Sequence, residues 1–379
     1  MKNGLIWLIV CLVMFGACKK SEPAKQQDTH KKVVLRESSL DYDVLPEIKK
    51  AQARLYKSEA GYTISTIDHY EKVKVVAKPV KLKQGKHATR PAKAKVKYIT
   101  KHWQTRDLTD YNILLAVQNT RTKNKVIDLV KLTAKGAKAP SGYTVSSAKS
   151  NGVNTEFLIV CPAGYVVLAL RRVVQQGKGW KEVVYTPYTK ELNTASVRQA
   201  GLNYLQYRFK QAKDDLQKKG VKSLAYGGLI VDHIPDSVAM VLALIEHIDP
   251  ARFQSGTPIE QLINEALIID GANQSMAYTY AVSKAGARGL FQFIESTYYS
   301  IANLYPLAKL EPDFVKGMNN HFNAAKASLL LFDADLSFLK PDHRKFLKKN
   351  PQAMGKYLAA AYNGGAGRAQ GAIQDYGPK

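Results

Sequence analysis

Up to about Tyr188 the apolar residues of this chain fall in short or alternating runs; from Leu202 onward they recur at three- and four-residue spacing. A period of two builds strands and a period near 3.6 builds helices, so a β-rich part must precede an all-α part. Runs at Tyr111 to Val117, Glu156 to Cys161, Gly164 to Leu170 and Glu182 to Tyr185 are bounded by turn residues and predict short strands, with a hairpin at Ala163-Gly164. Cys161 ends one of these runs and reads as a small buried hydrophobe. In the helix that follows, Leu202, Leu205, Phe209, Ala212 and Leu216 share a face and Gly220 ends it. This helix is expected to close a β-rich domain over residues 99–225.

Residues 226–379 carry almost no strand signal. Val238 to Ile245 is apolar on every side and predicts a helix buried all round, capped by Asp236. Thr257-Pro258 opens the next helix, with Ile259, Leu262, Ile263, Ala266 and Leu267 on one face, and further helices are expected near Phe314 to Phe332 and Ala353 to Ala361. The fold class read from this pattern is multidomain α+β: a small β-rich domain, then an all-α domain.

The other end of the chain speaks of compartment. Met1-Lys2 leads into an uncharged apolar run from Leu5 to Phe15 and then Gly16-Ala17-Cys18. That run is well short of the roughly 20 residues that cross a bilayer, so residues 1–17 read as a secretory signal. Small residues before Cys18 resemble the lipobox of bacterial lipoproteins, although Phe15 stands where leucine is usual. The resemblance implies acylation of Cys18 and a lipid anchor in the bacterial cell envelope, at the periplasmic face of the outer membrane. Of three cysteines only Cys161 then remains besides the anchor, which excludes a disulfide framework.

Residues 18–98 read as a polar tether and basic region, in which alternating valine and lysine from Lys72 predicts an exposed strand. Of the 56 Lys and Arg, 14 follow residue 225 and are matched there by 14 of the 31 Asp and Glu, so the formal excess of +25 lies wholly in the first 225 residues. An excess of this size favours an anionic partner. For an exported chain the expected partners are anionic lipid or wall material, and nucleic acid is not among them.

Chemistry concentrates in two stretches. Ala281-Val282-Ser283-Lys284-Ala285-Gly286-Ala287-Arg288-Gly289-Leu290-Phe291-Gln292 sets small residues and glycines, which allow tight turns and close ligand approach, beside one amide. Ala361-Tyr362-Asn363-Gly364-Gly365-Ala366-Gly367 runs a helix into glycines behind an aromatic and an amide, groups that stack on and hydrogen-bond to sugars.

Together the two stretches resemble the A-V-S-x-x-G-A-x-G-L-x-Q and A-Y-N-x-G-x-G blocks of the soluble lytic transglycosylase catalytic domain, in the lysozyme superfamily, over roughly Ile230 to Tyr376. The resemblance implies a lysozyme-like fold for residues 226–379 and cleavage of peptidoglycan glycan strands between N-acetylmuramic acid and N-acetylglucosamine, without metal or other cofactor. It places Ser283, Gly289, Gln292, Tyr362 and Asn363 at the saccharide. The same cleft in a lysozyme-like muramidase would give a hydrolysed product.

One departure bears on catalysis. The family's catalytic glutamate stands seven residues before the first block, and here Gln274-Ser275 occupies that place. Glu246 and Glu265 are the upstream alternatives, and a non-catalytic peptidoglycan-binding lipoprotein is the third reading. Glu246 ends the all-apolar helix, where apolar neighbours and the negative helix end both raise a carboxyl's pKa. Residues 251–280 would then be an insertion between that helix and the glycine-rich block. Glu265 lies off the apolar face of its helix and is expected to be solvated.

Overall fold

The computed structural model describes residues 40, 42–76, 96–122, 125–133, 139–140, 142–147, 151–176 and 179–377; the signal, Cys18 and most of the tether lie outside the described residues. The chain is α+β, with a β-rich part followed by a helical one. Helix α1 (Leu45–Tyr56) stands where the sequence reading places only tether. Val44, Ile48, Ala51 and Leu55 recur at helical spacing and are fully buried, while charged residues on the other face conceal the stripe in an average of composition.

Strands β1 (Tyr62–Val76) and β2 (Val96–Asn119) begin as a two-stranded antiparallel ribbon, with Tyr62 opposite Tyr111 and Val76 opposite Val96. From Asn112 onward β2 enters a sheet, flanked by β3 (Ile127–Thr133) and β6 (Tyr165–Gln176), and β7 (Gly179–Tyr185) pairs with β6. Leu114, Ala116, Val166, Leu168 and Val184 pack against α1, whereas Ile113, Leu115, Val117, Val167 and Val183 face the other way onto Phe157 and Ile159. Two covered faces explain why these strands read as continuous apolar runs.

Strands β4 (Thr144–Ser147) and β5 (Phe157–Cys161) form a separate ladder. The hairpin expected at Ala163-Gly164 is therefore not formed: β5 and β6 are consecutive but pair in different sheets, and Gly164 at φ +89° turns the chain between them. Cys161, expected buried, is exposed at the end of β5.

Helix α2 (Ala195–Lys218) differs from expectation more consequentially. Its Leu205, Phe209, Ala212 and Leu216 belong to the helical core, and only Val197 near its start reaches the sheet, so α2 joins the second part instead of closing the first. Helices α3 (Asp236–Ile245), α4 (Pro250–Gln254) and α5 (Ile259–Asn273) follow. Asp236 makes no cap; it sits in the first turn of α3 with its carboxylate 2.5 Å from Lys213 Nζ.

Helix α5 is the joint of the molecule. Ile263 and Ala266 lie in the helical core, Ile268 and Ala272 in the core under α1, and Ile269 in the core on the opposite sheet face. At its end Asn273 Oδ1 accepts from Thr186 N at 2.8 Å and its Nδ2 donates to Thr186 O at 2.9 Å, which fastens α5 to the end of β7. Helices α6 (Glu295–Leu304), α7 (Phe314–Asn319), α8 (His321–Ser337), α9 (Pro341–Lys349), α10 (Pro351–Gly364) and α11 (Ala366–Tyr376) complete the chain. Of these α8 is buried along most of its length, with its Asp333 carboxylate satisfied by the hydroxyls of Ser223 and Tyr305 and by the Leu224 N–H.

Candidate active site

Past its first turn helix α3 carries nothing that prefers water: Val238, Ala239, Val241, Leu242 and Ala243 are fully buried. Such a helix holds the residue that caps its C-terminus in an apolar setting, and that residue is Glu246. Burial pushes the Glu246 carboxyl up to about 7. Its oxygens have no hydrogen-bond or ion-pair partner among the described residues, and the side chain is only partly exposed. A carboxyl in this state exchanges its proton near neutrality without first breaking a salt bridge.

The glycine-rich block is fastened beside it. His247 Nε2 donates to Leu290 O at 3.0 Å, and the imidazole stacks on the Tyr278 ring with centroids 3.4 Å apart and planes 6° apart. Burial lowers the His247 pKa to about 3, so the ring is neutral and carries its proton on Nε2. Tyr278 adopts φ +55°, an uncommon conformation for a bulky residue, and its hydroxyl donates to Ala266 O on α5 at 3.3 Å. The end of α3, the block and α5 are thus tied together through one stacked pair.

From α10, Tyr362 completes the cluster. Its hydroxyl donates to Phe291 O, the carbonyl next to the one His247 uses, and its ring meets those of Phe293 and Phe332 edge-on or nearly so. Burial first, and then the charges of Glu246 and Asp335, push the Tyr362 hydroxyl far above its ordinary value. Three separate stretches of the sequence therefore converge: Glu246, Phe291 and Tyr362.

The other predicted site residues divide by what they touch. Asn363 is exposed, with Nδ2 donating back to Ala359 O at 3.1 Å and Oδ1 left over. Gln292, at φ +47°, commits its amide hydrogens to Gly289 O at 2.9 Å and Ala281 O at 3.4 Å, so only its carbonyl oxygen is available to a ligand. Ser283 is exposed and its hydroxyl accepts from Ala287 N at 3.0 Å, closing the small loop between them. Gly289 is buried at φ +72°, and a Cβ there would stand 2.5 Å from Met318 O. Its part is close packing of the block on α7, which removes it from any surface a glycan could touch.

Glu265 is not the solvated charge expected. It forms a bidentate pair with Arg252, at 2.5 Å from Nη1 and 2.8 Å from Nη2, and accepts from Gln261 Nε2 at 3.1 Å, with 14% of its side chain exposed. This is a structural carboxylate, engaged by three side-chain donors. Gln274, in the family's glutamate position, is exposed at φ +50° where α5 ends against the sheet.

Sequence reasoning missed His247, Tyr278 and Asp335. Burial pushes Asp335 up to about 7, and its carboxyl has no partner among the described residues; only its backbone oxygen is engaged, by the Tyr357 hydroxyl at 2.8 Å. No spacing in Phe332-Asp333-Ala334-Asp335-Leu336 distinguishes it from the satisfied Asp333. Among the described residues no group of His, Cys, Asp and Glu could hold a metal ion. Comparison of the chain with protein-family models, with curated proteins and with solved structures found no match.

Proposed function

We propose that this chain is a lytic transglycosylase that cleaves the β-1,4 bond between N-acetylmuramic acid and N-acetylglucosamine in peptidoglycan, with Glu246 as its single catalytic acid and base. The observation that carries the reading is the unpaired Glu246 carboxyl, held near neutral pKa at the buried end of α3 beside Tyr362 and the glycine-rich block. Protonated Glu246 donates to the bridging oxygen as the glycosidic bond breaks. The resulting carboxylate takes the proton of the muramoyl C6 hydroxyl, whose oxygen bonds to C1, so the product is a 1,6-anhydro sugar and no water enters. Hydrogen bonding to the strand falls to Asn363, the Gln292 carbonyl and Ser283. The pairing of Glu265 with Arg252 speaks for Glu246 over Glu265 as the acid.

Mass spectrometry of the fragments released from purified sacculi tests this. Anhydromuropeptides are expected. Reducing-end muropeptides alone would make the enzyme a muramidase, and no release from folded protein would leave a glycan-binding lipoprotein.

The proposed setting is the bacterial envelope, with Cys18 acylated and the basic N-terminal region toward anionic envelope material. A Cys18→Ser chain is expected to lose fatty-acid label; retention of the label rejects the anchor. Among the described residues no helix is long and apolar enough to cross a membrane.

A further inference from the structure

The β1–β2 ribbon has no place in the cleavage chemistry. Residues 96–111 of β2 pair only with β1, so 15 residues of β1 reach beyond the sheet, roughly 50 Å at the usual rise per residue. A bare two-stranded hairpin is marginal in water, and this one is exposed along most of its length.

Its two faces are unlike. With a side-chain period of two, Ile67, His69, Val73, Ile99 and Trp103 share one face. Ile67 is 38% exposed, Ile99 46% and Trp103 39%. Trp103 stacks on His69 with centroids 5.4 Å apart, and Lys101 Nζ lies 5.6 Å from the Trp103 centroid. The carboxylates on this face are Glu71, opposite Lys101, and Asp107, opposite Ser65 at the end nearer the sheet. The reverse face has no exposed aliphatic among its described side chains: it carries Asp68 bonded to His102 and Gln104, Tyr70 stacked on His102, then Lys72, Lys74 and an exposed Tyr98. The residues joining the strands, 77–95, lie outside the described residues; by sequence they carry seven Lys and Arg and no acid.

We infer that the β1–β2 ribbon is a membrane-contact arm, which lays its Ile67–Ile99–Trp103 face into the headgroup and acyl boundary of an anionic lipid bilayer. Aliphatic side chains discriminate between partners here: a saccharide stacks on Trp and Tyr but gains nothing from Ile67, Val73 and Ile99, whereas a lipid boundary takes all of them. An indole at the boundary and lysines toward charged headgroups are the arrangement such surfaces select. The inference is independent of the cleavage reading, and its test reads no cleavage.

The experiment uses the chain from Lys19 onward, without lipid, so that an acyl anchor cannot carry the result. Flotation with vesicles of phosphatidylglycerol in phosphatidylcholine is expected, with little binding to phosphatidylcholine alone. In a Trp180→Phe background, Trp103 emission is expected to shift to shorter wavelength on binding and to be quenched by brominated acyl chains. The exposed pair Ile67→Ser/Ile99→Ser, which touches no core, should weaken partitioning by at least about tenfold. Failure to float with the anionic vesicles overturns the inference, as does flotation without a Trp103 shift or undiminished binding of the double variant. Binding to sacculi with none to vesicles would also overturn it and make the ribbon a wall-binding arm.

Discussion

Glu246→Gln is expected to lower the release of anhydromuropeptides by about 10²–10⁴-fold, the usual worth of a general acid. Glutamine keeps the shape of the side chain and cannot deliver a proton to the bridging oxygen. Glu265→Gln, which breaks a structural pair with Arg252, is expected to leave the rate per folded molecule within about tenfold of the parent. For the parent, kcat/KM should be level at acid pH and fall as pH rises through about 7, because the reacting form is protonated Glu246.

The same substitution has a second, activity-free signature. Glu246 titrates near 7 when folded and near its ordinary 4.5 when unfolded. Between those values the folded chain retains a proton that the unfolded chain has released, so stability falls as pH rises through that window. At pH 8 the ionised carboxylate should cost on the order of 3 kcal/mol, which Glu246→Gln relieves and which vanishes below about pH 4.5. Denaturant unfolding at pH 4 and pH 8 checks it. Equal stabilities of parent and variant at both pH values would place Glu246 in water, and full activity in the variant would end its assignment as the acid.

How much of this site could be read in advance depended on whether its physics was local. The burial of Glu246 follows from eight consecutive apolar residues, and that stretch is one helix in one core. Tyr362 and the glycine-rich block were legible as motifs, but their meeting through Phe291 O depends on tertiary packing that no spacing encodes. Gly289 was misassigned because glycine serves ligand approach and backbone packing alike, and only the 2.5 Å gap to Met318 O separates the two. Glu265 was misassigned because its partner, Arg252, sits on a different helix. Helix α2 was misplaced for a related reason: a stripe at helical spacing announces a buried face without saying which core buries it. His247 had no signal at all, since its role rests on a stack with Tyr278 from beyond α5.

The largest effect on folding is expected where α2 crosses α5. A Cβ on Gly201 would stand 2.1 Å from Leu267 O, and one on Gly271 2.1 Å from Val197 O. Both obstacles are backbone carbonyls inside helices, so no rotamer change relieves them, and the two helices must separate. Separation would not stay local. Helix α5 places Ile268 and Ala272 under α1, Ile269 on the opposite sheet face, and Ile263 and Ala266 in the core that holds α3. Moving it loosens three cores at once and shifts Ala266, whose carbonyl orients Tyr278 and through it the His247 stack beside Glu246. Either Gly201→Ala or Gly271→Ala is expected to cost about 3 kcal/mol or more, at the upper end of what overpacking produces, despite the better helix propensity of alanine. Because each substitution offends the same crossing, the double variant should cost less than the sum of the two. Urea unfolding of the three variants decides the point: single costs under about 1 kcal/mol, or strict additivity, would mean that the helices already stand far enough apart to admit a methyl group.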